Sequence, residues 1–393
     1  MSSLLAPGIW LLLGAEGAAS AYLTGLAGLA LWRKPRPPAA EAGKPWRLAV
    51  IVPAHDEEAL LPRLLASLAG QEYPADLYAV HVIADNCGDA TAVLARAAGV
   101  AVHERDEPES PGKGQAIAWL LPRLPAAASD AYVFVDADSI VEPGFLAALA
   151  RELDAGHLAL QASYRVADPD RAPLVTLRAL AFALMHELRG RGKARLGLSC
   201  GIWGNGFVLR REALERVAWQ SFSGVEDAEQ HLLLVLAGLR VAFAPEARVY
   251  GDMPASFRAA GSQQRRWEAG RLALLRRYGL RLAVAAGRRR DGAAAAALLE
   301  LALPPLSLLL SAEAVLAALA WTLGSAEARL VALAAPAGLL FYVAVGFRLS
   351  GLRPRSYLAL LHAPGYVLWK IALYAREALR RAEPAWVRTN REG

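Results

Sequence analysis

Asp136 and Asp138 are the residues whose chemistry is plainest: two carboxylates two positions apart, closing the strand-forming run Tyr132, Val133, Phe134 and Val135. In an extended chain residues two apart point the same way, so both can converge on one ligand. Two hard anionic oxygens there suit Mg2+ or Mn2+ carrying a diphosphate, since such ions take one or two protein carboxylates and the rest from phosphate and water. An acidic turn capping a helix would look the same, so the rest of the chain has to separate the two readings. Glu226 and Asp227 open an amphipathic helix, where acidic residues are also simply favourable charge. Glycines 201, 204 and 206 precede a short strand, either to let backbone approach a ligand or to make a tight turn. From Phe257 to Tyr278 a helical pattern interleaves Gln263, Arg265, Arg266, Arg271, Arg276 and Arg277 with Phe257, Trp267, Leu272, Leu274 and Leu275. Such a basic helix suits a membrane surface, and Arg266 with Trp267 could close over a diphosphate and a sugar.

The elements that must position these groups alternate. LAVIVPAHDEE ends a first strand at Pro53, and Glu57 to Leu68 reads as a helix. AVHVIADNCGDAT brings a second strand to Asp85, and Val100 to Glu104 is a shorter third. SPGKGQAIAWLL feeds a helix; after the acidic strand end come LALQASYRV, the strand following GNG, and a last strand at Val241 to Ala244. Strands alternating with helices predict an α/β domain, a mostly parallel sheet with helices on both faces. Three successive strand ends, near His55-Asp56, Asp85 and Asp136, then carry polar groups on one edge of that sheet, where open α/β sheets bind nucleotides.

At 393 residues and 55% hydrophobic, the chain is richer in apolar residues than soluble proteins are, so membrane segments are expected. Ile9 to Trp32 is long enough to cross a bilayer, and Arg33, Lys34, Arg36, Lys44 and Arg47 follow it, so its C-terminal end is expected in the cytoplasm. Pro35, Pro37, Pro38 and Pro45 make a stiff linker. Gly292 to Leu323 and Val331 to Phe347 predict two further crossings, with Glu300 and Glu313 facing protein or the span ends. Ser356 to Tyr374 is expected to be interfacial or re-entrant, because Arg376, Arg380, Arg381, Arg388 and Arg391 lie beyond it. The predicted organisation is 1–46 helix and linker, 47–255 cytoplasmic catalytic domain, 256–291 basic interfacial helix region, 292–349 two crossings, and 350–393 interfacial helix and basic tail. A net charge of +6 beside apolar spans points to an anionic membrane face, and no nucleic-acid-binding motif is present. Two cysteines, Cys87 and Cys200, give neither a disulfide framework nor a zinc spacing.

In order, VPAHDEE, the Asp85 turn, Asp136-Ala137-Asp138, Glu226-Asp227 and Gln263-Gln264-Arg265-Arg266-Trp267 resemble family 2 glycosyltransferases. The likeness is greatest to the membrane-bound, inverting, GT-A fold members that include cellulose, chitin and hyaluronan synthases and ceramide glucosyltransferases. It covers about 47–278. The resemblance implies that Pro53, Ala54, His55 and Glu57 hold the nucleoside with Asp85 near the uracil or ribose. It implies that Asp136 and Asp138 hold metal and diphosphate, Asp138 the more direct ligand, and that Lys113 lies near the donor. Asp227, in a VED version of the family's TED, would be the general base. Gln263, Arg266 and Trp267 would bind donor diphosphate and the acceptor terminus. Gly204-Asn205-Gly206 departs from the motif lining the acceptor site of the polymer synthases, and these residues with Glu226 are acceptor-site candidates.

The expected reaction is transfer from a UDP-sugar to a lipid or other membrane-proximal hydroxyl, giving a β-glycoside at the cytoplasmic face of the inner membrane. One base and no enzyme nucleophile imply single displacement with inversion. Processive polysaccharide synthesis is the alternative, although a polymer channel calls for more than the three crossings counted. From another class, a silent nucleotide-sugar-binding subunit of a membrane assembly would not need Asp136, Asp138, Asp227 and Arg266 together.

Overall fold

A computed structural model describes residues 2–32, 44–125, 128–323 and 325–378. The chain divides into two units. One draws on Pro35–Pro169 and Gly197–Leu301; the other on Met1–Lys34, Asp170–Leu196 and Ala302–Ala382.

The first unit is built on an eight-stranded sheet, taken over the described residues. Its strands are β1 (Leu48–Ala54), β2 (Tyr78–Asp85), β3 (Ala101–Arg105), β4 (Ala131–Phe134), β5 (Ser139–Val141), β6 (Ala159–Val166), β7 (Phe207–Arg210) and β8 (Val241–Gly251). Their order is β3-β2-β1-β4-β7-β6-β8-β5. β1 runs parallel to β2 and β4, and β2 parallel to β3, whereas β7 is antiparallel to both its neighbours and β5 is antiparallel to β8. The strict alternation along β1 explains the layers. Leu48, Val50 and Val52 pack on one face with Leu61, Leu64 and Phe145, while Ala49 and Ile51 face Ile117, Leu120 and Trp219 on the other.

The three acidic strand ends lie on adjacent parallel strands, as the sequence predicts, and β4 stops at Phe134, two residues short of Asp136. The first predicted helix begins later, at Leu61, because Glu57 to Leu60 make a turn. β8 continues past Ala244 through Pro245 to Gly251, absorbing the proline at a register shift opposite Ala162 and Ser163 of β6. β5 was not expected; it is three residues long, too short to carry a period. The basic helix is longer than predicted, Phe257–Arg288.

The second unit is helical: Ser2–Leu31, Pro173–Phe182, Arg189–Arg195 after a π-helical turn at Ala183–Leu188, Leu306–Leu323, Ala326–Ser350, and Pro354–His362 continued by Ala363–Ala378. Leu23, Leu26, Leu184, Leu188, Leu339 and Tyr342 form its core. Helices approach closely where glycine faces a neighbour: a Cβ on Gly192 would lie 2.6 Å from the Leu26 carbonyl oxygen.

Several boundaries differ from the sequence reading. Asp170–Leu196, expected inside the catalytic domain, belongs to the helical unit. The stretch 292–323 is two helices, Gly292–Ala302 and Leu306–Leu323, interrupted where Pro304 and Pro305 withdraw two backbone donors. Ala326–Ser350 and Pro354–Arg376 are each long and apolar enough to cross a membrane. The helix Ser2–Leu31 covers nearly all of the stretch predicted for the first crossing. Arg33, Lys34, Arg36, Arg380, Arg381, Arg388 and Arg391, on which the expected orientation rested, lie outside the described residues, as do Pro35, Pro37 and Pro38.

Candidate active site

The site grows from the C-terminal edge of β1, β2 and β4. Past β4 the backbone N–H of Asp136 donates to Asn205 Oδ1 (3.1 Å), and Asn205 Nδ2 donates to Ser139 Oγ (2.7 Å). Ser139 in turn donates to Asp138 Oδ1 (3.3 Å), so one fully buried amide fixes the turn that presents both carboxylates. The Asn205 carbonyl accepts from Gln161 Nε2 (2.7 Å), and Gln161 Oε1 accepts from Trp203 N (2.9 Å), which locks the glycine loop from behind. Gly204 and Gly206 both have left-handed backbone, φ 81 and 69. A Cβ on Gly206 would lie 2.5 Å from Val249 Cγ1, and one on Gly204 would lie 3.1 Å from Asp227 Oδ2. The tight-turn reading of these glycines holds, and the turn also brings backbone close to the Asp227 carboxylate.

Lys113 starts the helix Lys113–Leu120 after Gly112, itself at φ 125. Its Nζ donates to Asp136 Oδ1 (2.5 Å) and to the Gly204 carbonyl oxygen. Gly114 lets this helix sit against the loop before Asp227; a Cβ there would lie 3.2 Å from Glu226 Cβ. Trp219 Nε1 donates to the Gly114 carbonyl (2.9 Å) and holds that approach. Glu226 and Asp227 occupy the first turn of Glu226–Leu236. Arg266 comes from the helix Phe257–Arg288, its Cγ 3.4 Å from where a Gly224 Cβ would be. That helix is held by Glu229, whose buried carboxylate accepts from Arg277 Nη1 and Tyr278 Oη, each at 2.7 Å. Trp267 packs partly buried beside Val225 and Leu232.

The charges are strongly coupled. Burial raises the Glu226 carboxyl to about 7, helped by Asp227 and opposed by Lys113 and Arg266. Burial also lifts Asp227 above the ordinary carboxylate range, Lys113 opposing and Asp136 adding to the rise. Burial works to lower the Lys113 ammonium, yet Asp136, Glu226 and Asp227 together hold it above the usual lysine range. Such an arrangement can take a proton near neutral pH and can stabilise an incoming anion.

Lys113, Asp136, Gly204, Glu226, Asp227 and Arg266, scattered over more than 150 residues of sequence, are thus brought together. Three of the expected residues, Asp85, Asn205 and Gly206, are buried. Asn205 and Gly206 shape the loop from within. Asp85 is enclosed: its Oδ1 accepts from Arg105 Nη1 (2.5 Å) and Asn86 Nδ2 (3.0 Å), and its Oδ2 from Gly112 N (3.3 Å). In this position Asp85 anchors the loop that carries Lys113, a task invisible without Arg105. His55 Nδ1 lies 2.7 Å from the Asp85 carbonyl oxygen, and Glu57 N donates to Thr91 Oγ1 (2.8 Å), so Pro53, Ala54, His55 and Glu57 border the same edge. Arg105, Ser139, Gln161 and Glu229 were missed; none falls in a motif, and each acts through a partner distant in sequence.

Asp136 and Asp138 fit a hard divalent cation: carboxylate oxygens, partly exposed, at the strand edge beside basic groups. A second group, Asp56, Cys87 and Asp89, has ligand atoms within 4.8 Å of one another. Its donors already knit the loops, however: Asp56 Oδ1 accepts from Gly88 N (2.7 Å), and the Asp89 oxygens accept from Glu58 N (3.0 Å) and Thr91 N (2.9 Å). Burial pushes the Cys87 thiol up, which keeps it protonated and a poor ligand.

Residues 45–270 match a family model described as glycosyltransferase like family 2. A probable glycosyltransferase, YdaM of Bacillus subtilis, is 24% identical over 243 residues, 57% of this chain and 55% of that protein. An N-acetylglucosaminyltransferase of Rhizobium leguminosarum bv. viciae is 28% identical over 233 residues, 56% of this chain and 54% of that one. The chain thus spans about half the length of these curated relatives. The mannosyltransferase PcManGT from Pyrobaculum calidifontis, solved in complex with GDP-Man and Mn2+, superposes with a TM-score of 0.57 at 20% identity. The superposition covers 95% of this chain and 99% of that one, and it places the two in the same GT-A fold.

Proposed function

Because the chain belongs to glycosyltransferase like family 2, we propose that it transfers a sugar from a UDP-sugar to a hydroxyl acceptor at a membrane, with inversion at the anomeric carbon. One juxtaposition supports this most: Asp227 beside Gly204 and within the field of Lys113, which itself bonds Asp136. Asp227 takes the acceptor hydroxyl proton as the acceptor oxygen bonds to the anomeric carbon. The bond from that carbon to the diphosphate oxygen breaks, and its electron pair leaves with UDP. Lys113 and Arg266 stabilise the charge that develops there. Mg2+ or Mn2+ held by Asp138 and Asp136 would neutralise the diphosphate as it departs. The nucleoside lies along Pro53, Ala54, His55 and Glu57 with Asp85 behind them, and Gln263 and Trp267 border donor and acceptor.

The apolar helices Ala326–Ser350 and Pro354–Arg376 support a lipid or other membrane-proximal acceptor and a catalytic domain at the cytoplasmic face of the inner membrane. Purified protein incubated with UDP-sugars and a membrane lipid extract should release UDP and yield a β-linked, mass-shifted lipid. An α-linked product, or full activity in Asp227→Asn, would overturn the mechanism. A ladder of growing saccharide would instead establish processive synthesis.

A further inference from the structure

The helical unit holds two carboxyl groups that the transfer reaction does not use, one buried and one partly buried. Glu16 is the sole charged residue of the helix Ser2–Leu31, and Glu313 the sole charged residue of Leu306–Leu323. Glu313 is only 4% exposed, and neither of its carboxyl oxygens has a hydrogen-bond partner; Glu16 Oε2 is likewise buried and unpartnered. Glu16 is the ionisable group whose charge reaches Glu313, and no basic residue acts on either. The helix Ala326–Ser350, which packs against both, has its charges at its ends: Glu327, Arg329 and Arg348. The helix Ala363–Ala378 adds Lys370, Arg376 and Glu377, and neither of its cations acts on the pair. Leu13, Leu316 and Ala320 form an apolar cluster on the same two helices.

Orphaned acceptor atoms cannot satisfy one another, and a buried carboxylate with a second one in electrostatic reach and no cation costs several kcal/mol. A proton resolves both difficulties: it turns one acceptor into a donor and removes one charge. We propose that Glu16 and Glu313 form a proton-binding pair that holds a single proton between them at neutral pH and so joins the first helix to Leu306–Leu323. Ionisable residues inside apolar helix bundles commonly carry protons or ions.

The full chain in lipid nanodiscs should show the infrared carbonyl band of a protonated carboxylic acid at neutral pH. Glu16→Gln/Glu313→Gln, whose amides supply their own donors, should lose part of that band, leaving what the raised Glu226 and Asp227 carboxyls give. As pH rises and the proton leaves, the wild type should lose melting temperature in a step that the double variant lacks. Retained UDP-sugar turnover would report that the variant is folded, since neither residue touches the catalytic site. Two results would overturn the proposal. One is a band equal in wild type and variant. The other is a melting step governed by sodium at fixed pH, which would make the occupant a metal cation.

Discussion

Replacing Lys113 by methionine removes the cation on which the carboxylates of the site depend while keeping most of the side-chain volume. Lys113 bonds Asp136 at 2.5 Å and lowers the proton affinity of both Glu226 and Asp227. Breaking a buried ion pair costs about 3–5 kcal/mol. Lys113 and Asp136 are 20% and 31% exposed, however, so water screens part of the loss and about 2 kcal/mol is the better figure. Lys113 is also assigned to the charge developing on the departing diphosphate, and losing about 2 kcal/mol of that transition-state stabilisation, at 1.36 kcal/mol per factor of ten, is roughly a 30-fold fall in kcat/KM at neutral pH. Without the ammonium, Asp227 holds its proton to higher pH. If the same energy were placed on one carboxyl it would move its titration by about 1.5 units; shared among three, it should move the acidic limb of kcat/KM up by roughly half a unit to one unit. The assay is UDP release measured from pH 6 to pH 9, with Lys113→Arg as the charge-retaining control. A deficit that shrinks as pH rises supports the coupling. A deficit equal across the range, with the limb unmoved in Lys113→Met, would refute it.

Asp227→Asn should cost about 10²–10⁴-fold in kcat with little change in donor KM, read from initial rates. Glu226→Gln should move the acidic limb to lower pH by roughly half a unit, because Glu226 and Asp227 repel each other's charge. The same variant should melt higher than wild type above neutral pH. A carboxyl raised from 4.5 to about 7 loses the stability it has below 4.5 as pH climbs through 7, and the amide has no such loss. Gly206→Ala should destabilise the sheet unit by about 2–3 kcal/mol in denaturant unfolding. It combines a left-handed φ with a Cβ 2.5 Å from Val249 Cγ1.

Much of the sheet unit was legible in advance because its signals are local. Leu48–Ala54 and Tyr78–Asp85 announce strands by composition and period, and their ends announce the ligand edge by where polar residues first interrupt. Asp136, Glu226 and Arg266 stood out for the same reason, each in a short motif at an element boundary. β5 did not, being three residues without a turn signal, nor did the central placement of the antiparallel β7. Strand order depends on which distant segment supplies the missing hydrogen bonds, and that is not a property of either segment alone.

The sequence by itself determined which side chains can carry charge, take a proton or hold a metal, and on which kind of element each sits, because propensity and period act within about ten residues. Only the tertiary structure decided their partners. It tied Lys113 to Asp136, enclosed Asp85 behind Arg105, turned Asn205 inward as a brace, and put Glu16 within electrostatic reach of Glu313. A carboxylate's role depends on its nearest charge and its distance from water, and both are fixed by chain segments that can lie hundreds of residues away.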